Sequence, residues 1–310
     1  MVPLAPVHTP QPSRPPEPDP MPLELHPGDD AHARPDLLAV AVGNTRTRFG
    51  VFRAGQLDRP MSIRNDQADE LAAQLRELGL EPDAFHVAIA TVRADAAEAF
   101  SSILDRAGLR PTLISRIGRD IPIPIRMALR DETTVGHDRL LNALGAYGTA
   151  EQACVVIDAG TAVTVDLVDG QGVFQGGVIA PGLTMMLHSM HEHTAALPRL
   201  DFEMPPAEDG PLGKDTASAM RLGVIGAILG LVRYQLERYA DLYGAYPQVI
   251  ATGGDAPRLF EHDEIVEHLV PDLQLMGIHA AVEAAIRAAE AEADGDDDEP
   301  SAPDDDNPFA

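Results

Sequence analysis

The chain has one cysteine, Cys154, and one lysine, Lys214, among 310 residues. A lone cysteine excludes an intrachain disulfide and fits a reducing compartment, so a cytoplasmic location is expected. Basic residues are scarce altogether: 23 Lys and Arg face 49 Asp and Glu, for a formal net charge of −26. A surface this acidic opposes general binding to nucleic acid or to anionic membrane, and neither is expected as a partner. The sequence has no uninterrupted run of about 18 apolar residues, so no membrane span is predicted. Its N-terminus lacks a basic start followed by an apolar core, so no secretion signal is predicted either.

Hydrophobic residues make up 45% of the chain, enough for sizeable cores, and the length suits two domains. Residues 1–35 are rich in proline and poor in apolar residues, which predicts a disordered extension. Residues 294–310 carry a run of Asp and Glu that repels itself and reads as a disordered tail. Between them the predicted domains are 36–150 and 151–293.

The second domain opens on Val155-Val156-Ile157-Asp158-Ala159-Gly160-Thr161-Ala162-Val163-Thr164-Val165-Asp166. Two β-branched runs flank a turn that holds a carboxylate, a glycine and hydroxyls, a polar nest suited to a phosphate and its cation. Alone it is also the pattern of a plain hairpin. The first domain repeats it: strand-like Leu37 to Val42 runs into Gly43-Asn44-Thr45, then into a second strand from Arg46 to Phe52. Gly43 aligns with Gly160, Asn44 with Thr161, Thr47 with Thr164 and Ala41 with Asp158. The echo predicts a duplicated architecture with two facing phosphate loops.

The spacing predicts helices over 66–78 and 94–107, strands at His86–Val92 and Pro111–Ile114, and a loop around Pro122 and Pro124. Val135-Gly136-His137-Asp138-Arg139 then leads into a helix expected from Leu140 to Ala150. Asp138 and Arg139 at a helix start read either as a structural cap or as a proton acceptor beside an anion-binding guanidinium, and both readings stay open here. Further helices are predicted over 183–197, 216–239 and 278–293, with 273–277 as a link. His188, His191 and His193 could meet a metal, but they match no zinc spacing and read better as a solvated face. Gly223, Gly226 and Gly230 predict a helix face that another helix can approach closely. Gly253-Gly254 follows a strand at a helix start, where backbone N–H groups can face an anion.

Taken together, Val42–Thr45, Val135–Arg139, Asp158–Ala162, Gly176–Gly182, Thr194–Pro198 and Thr252–Gly254 resemble the type III pantothenate kinases of the actin-like superfamily. The resemblance runs from about Leu37 to Ala289. It implies an α/β fold of two RNase H-like domains with an ATP cleft between them. It implies ATP contacts from Ala41, Val42, Gly43, Asn44, Thr45, Arg46, Thr47, Arg48 and Thr161. Asp138 is implied as the general base, with Gly136, His137, Asp138, Arg139, Thr216 and Leu129 as pantothenate contacts. Asp158 is implied as the ligand of a monovalent cation, potassium or ammonium, and a divalent metal, normally magnesium, is also implied. The implied partners are pantothenate, ATP and a second copy in a homodimer. The chain departs from the family pattern at Ala41, where an aspartate is normal, at Leu129 in place of a tyrosine, and at Glu132 in place of a proline. These departures motivate a second expectation, a weakened or inactive homologue that binds nucleotide or pantothenate or acts as a regulator. A sugar or acetate kinase on the same fold is the third.

Overall fold

The computed structural model describes residues 35–91, 96–206, 208 and 210–296. Residues 1–34 of the expected extension and 297–310 of the expected tail lie outside them, whereas residues 294–296, expected in the tail, are helical. In chain order the elements are β1 (Asp36–Val42), β2 (Arg46–Arg53), β3 (Gln56–Arg64), α1 (Ala68–Arg76), β4 (Phe85–Thr91), α2 (Ala96–Ala107), β5 (Leu113–Arg116) and β6 (Arg126–Met127). They continue as α3 (His137–Ala150), β7 (Cys154–Ala159), β8 (Ala162–Val168), β9 (Val173–Pro181), α4 (Leu183–Glu192), α5 (Thr216–Tyr243), β10 (Gln248–Thr252), α6 (Ala256–Phe260), β11 (His268–Leu269) and α7 (Leu273–Asp296).

The first sheet has the order β3-β2-β1-β4-β5. Its first three strands meander antiparallel, and β4 and β5 then add parallel to β1. The second sheet repeats this as β9-β8-β7-β10-β11, with the two-residue β6 added beyond β9. The duplication read from the two hairpins is thus a duplication of whole RNase H-like sheets.

Strand alternation decides what each face carries. Leu38, Val40 and Val42 of β1 enter a core under α1 and α2, whereas Leu37, Ala39 and Ala41 face a second core built with α3 and α7. In β7, Val155, Ile157 and Ala159 pack under α4 and α5, and Cys154 and Val156 face α3. Parity therefore turns Ala41 and Asp158 toward the same central layer of α3 and α7. These two helices cross closely: a Cβ at Gly277 would lie 2.0 Å from the Leu141 carbonyl oxygen, and one at Gly145 would lie 2.6 Å from that of Leu273. A glycine on each helix, Gly145 on α3 and Gly277 on α7, permits this crossing.

Several elements differ from the sequence expectations. Strand β3 was not expected. It is an edge strand with Pro60 and charged residues, only Ile63 is buried, and it pairs with β2 across a bulge. Helix α3 starts three residues early, because Gly136 caps it and accepts from Arg139 N at 3.1 Å. Helix α4 ends at Glu192, short of the expected Leu197. The expected link at 273–277 is the first part of α7, where Gly277 serves the crossing and does not break the helix. Helix α5 is long and apolar enough to cross a membrane by length and composition, although charged and polar residues interrupt its apolar run. Its stripe of Met220, Val224, Ile228, Val232 and Leu236 packs on the second sheet, and most of the rest of the helix is not buried. On α5, Gly223, Gly226 and Gly230 have nothing within 4 Å of a built Cβ, so no helix among the described residues approaches them.

Candidate active site

The two hairpin turns meet. Thr45 Oγ1 and Thr161 Oγ1 lie 3.2 Å apart across 116 residues of sequence. In the first turn Gly43 N donates to Arg46 O at 3.0 Å, and in the second Gly160 N donates to Ala162 O at 2.9 Å. Asn65, just after β3, braces the first turn: it donates to Gly43 O at 2.9 Å and accepts from Thr47 Oγ1 at 2.9 Å. Thr47 is buried and turned into this brace, while Asn44, Thr45 and Arg46 are exposed.

The first turn is one residue longer than the second, which shifts the expected equivalences. Opposite Ala41 stands Arg48, whereas opposite Asp158 stands Thr164. Thr47 therefore does not match Thr164 by register; Arg48 does. From there Arg48 Nη1 reaches Asp272 Oδ1 at 2.8 Å and the Pro271 carbonyl, tying β2 to the start of α7. Arg46 lies along β3, with Nε on Ser62 Oγ at 2.9 Å.

Parity puts Asp158, Thr164 and Asp166 on the face of the second sheet that α3 covers. Helix α3 answers with Asp138 in its first turn, then Arg139 and Asn142. A Cβ at Gly136 would lie 2.3 Å from Asp138 Oδ1, so only glycine leaves room for the carboxylate to fold back over the cap. Asp138 Oδ1 accepts from Arg139 N at 2.9 Å. The His137 ring lies against Gly118.

Arg139 is already engaged. Its Nε lies 3.1 Å from each carboxylate oxygen of Asp166, its Nη2 bonds Asp166 Oδ1, and its guanidinium sits 5.4 Å from the Phe174 ring centre. Burial works against the Arg139 charge, but the Asp166 contact outweighs it and holds the guanidinium above its ordinary value. Burial holds the Asp166 carboxyl above its ordinary value, and the two-pronged contact with Arg139 offsets part of that rise. Asp166 was not singled out from the sequence, although an acid inside Val163-Thr164-Val165-Asp166-Leu167 is a visible break in a buried strand.

Asp158 lies deeper. Burial pushes its carboxyl up to about 6; Asn142 and Arg48 pull it down, and Asp138 and Asp166 add to the rise. Asn142 Nδ2 donates to Asp158 Oδ2 at 2.8 Å. Asn142 falls inside the helix expected from Leu140 to Ala150; its place one turn after Asp138 was the signal. Among the described residues no three His, Cys, Asp or Glu side chains gather into a metal site. The second-sheet site thus offers one carboxylate and neutral oxygens, a donor set that fits a monovalent cation. A divalent ion would take most of its ligands from phosphates and water.

The remaining expected contacts are spread out. Leu129 packs into the core that holds Phe174 and lies 3.1 Å from a Cβ built on Gly176. Thr216 opens α5 and lines a 760 Å³ cavity with Met185, Met186, Met190 and Met220, a lining that includes neither Asp138 nor Arg139. The three histidines of α4 do not converge: His188 Nε2 lies 3.4 Å from Asp201 Oδ1, His191 Nδ1 lies 2.8 Å from Leu197 O, and His193 ends the helix.

Comparison with known proteins places this geometry. A family model described as type III pantothenate kinase matches residues 37–238. The type III pantothenate kinase of Desulfosudis oleivorans is 35% identical over 251 residues, covering 78% of this chain and 96% of that one. That of Rhodospirillum rubrum is 34% identical over 252 residues, with 78% and 96% covered. The crystal structure of a conserved Baf family protein from Campylobacter jejuni superposes with a TM-score of 0.50 at 19% identity, covering 81% of this chain and 99% of that one, and shares the fold. With the two RNase H-like sheets and the facing hairpin turns in place, this chain belongs to the type III pantothenate kinase family.

Proposed function

We infer that this chain transfers the γ-phosphoryl group of ATP to the hydroxyl of pantothenate, the first step of coenzyme A biosynthesis. The observation that carries the mechanism is the placement of Asp138 at the start of α3, one turn before Asn142, which holds Asp158 under the second hairpin turn. Asp138 Oδ2 takes the proton of the attacking hydroxyl while Oδ1 stays anchored on the backbone. Phosphoryl transfer asks the protein chiefly for alignment and for groups that meet the phosphate charge. The turn around Gly43–Arg48 and Thr161 offers backbone and hydroxyl donors to the phosphates. Arg139, held flat by Asp166, presents the rest of its guanidinium to the pantothenate carboxylate, with Gly136, His137 and Leu129 around it. Bound magnesium would neutralise charge on the phosphates. Asp158 would hold potassium or ammonium.

Ala41 leaves the first turn without the carboxylate usual in the family, and Arg48 with Asp272 occupies that region. None of the comparisons favours the reading of an inactive homologue or of a sugar kinase. We place the division between the two units near residue 150, with α7 returning to cover the first sheet. The open glycine face of α5 and exposed Ile179 and Met185 support a homodimer. The single cysteine, buried with its thiol pushed up to about 12 by burial, supports a cytoplasmic setting. ATP- and pantothenate-dependent formation of 4'-phosphopantothenate tests the activity, and light scattering of the purified chain tests the dimer. No product, or a monomer, would overturn the corresponding part.

A further inference from the structure

Asn142 is 2% exposed, and only half of its amide is satisfied. Nδ2 donates to Asp158 Oδ2 at 2.8 Å, whereas Oδ1 is buried with no hydrogen-bond partner. A carboxylate can only accept, so it dictates which end of the amide donates to it and leaves the carbonyl oxygen to another partner. Buried polar atoms without partners are rare in native interiors, and a water or an ion is one way to satisfy them. Two other side-chain atoms share this state among the described residues, Arg221 Nε and Gln248 Oε1, and neither residue contacts Asp158.

We propose that Asn142 Oδ1 is a protein ligand of the monovalent cation held by Asp158, so that the ion ties α3 to β7. The inference rests on the reading of Asp158 as a cation ligand. A carboxylate beside an amide carbonyl is a donor pair that alkali cations favour. Asp138 and Asn142 are four residues apart on α3, on one helix face. An ion gripped by Asn142 therefore fixes the first turn of α3 and the position of the Asp138 carboxylate. Asn142 is in this sense a positioning residue, and the cation acts on catalysis through the helix that carries the base.

Crystals of the full chain soaked in thallium(I), a potassium mimic visible by anomalous scattering, give a direct readout. A peak touching both Asn142 Oδ1 and Asp158 is the expected result. A peak on Asp158 away from Asn142, or a water at Oδ1, overturns the proposal and leaves the reading of Asp158 standing; the absence of any peak at Asp158 overturns both. In solution, potassium should raise the melting temperature of the unmutated chain. Asn142→Leu, similar in size but without the oxygen, should raise the half-saturating potassium concentration about tenfold, and Asp158→Asn should abolish the response. A wild-type response from Asn142→Leu would contradict the proposal. If that variant does not fold, the thallium position in the unmutated chain decides alone.

Discussion

Arg139 of α3 and Asp166 of β8 form a two-pronged ion pair in which Asp166 is 1% exposed, so the guanidinium assigned to the substrate carboxylate reaches the site already half-occupied. The pair fixes the plane of Arg139 and leaves its outer edge for the ligand. Asp166→Asn removes one charge of a buried pair, a change that costs about 3–5 kcal/mol. The expected outcome is a lower melting temperature, with pantothenate KM raised more than kcat is lowered. Steady-state kinetics in both substrates checks this, since ATP KM should move little.

Ala41 and Arg48 stand opposite each other on β1 and β2, with their side chains on one face. Placing the usual carboxylate at 41 would set it beside Arg48, in a position only 3% exposed, and make it compete with Asp272 for the guanidinium. Ala41→Asp should therefore lower stability without a large gain in rate. A double-mutant cycle of Ala41→Asp with Arg48→Ala should show a coupling of about 1 kcal/mol or more. Additive effects would contradict the register.

The crossing of α3 and α7 makes Gly277 sensitive. A Cβ there meets the backbone of Leu141, which cannot swing aside as a side chain could. Gly277→Ala should cost about 1–3 kcal/mol by overpacking, despite the better helix propensity of alanine. Denaturant unfolding measures it, and a stabilised variant would contradict the packing.

His279 of α7 stacks on Phe52 with ring centres 4.2 Å apart and has Glu283 at 3.8 Å. Burial holds its imidazole below the ordinary value; Glu283 works against this, and Arg287 adds to it. A folded value below the unfolded one, about 6.5, means that the unfolded chain binds the proton more readily. The contribution to stability is complete above that pH and is lost as the pH falls toward the folded value. Melting temperature should drop more steeply on acidification through this range for the wild type than for His279→Phe, and parallel curves would contradict the assignment.

Much of this site was legible in the sequence where chemistry and periodicity coincided. The two hairpins, the duplicated order and the Gly136–Arg139 helix start all carry local signals, and strand parity alone turns Asp158 toward α3. What escaped was tertiary. Asp166 reads as one acid in a strand until Arg139 is brought to it, and Asn142 is one polar position in a helix until its amide meets Asp158. Gly277 looked like a helix break because its role depends on α3, more than 120 residues earlier. The offset of Arg48 against Thr47 came from one extra turn residue, which alignment by motif cannot see but strand register fixes.

The central claim is that Asp138 serves as the base in ATP-dependent phosphorylation of pantothenate. Formation of 4'-phosphopantothenate by the purified full chain, with magnesium and potassium present, should be compared with that of Asp138→Asn. The account predicts clear turnover by the wild type and a kcat about 100- to 10,000-fold lower in the variant, with pantothenate KM changed little. Equal rates in the two proteins, or no turnover by the wild type, would contradict it.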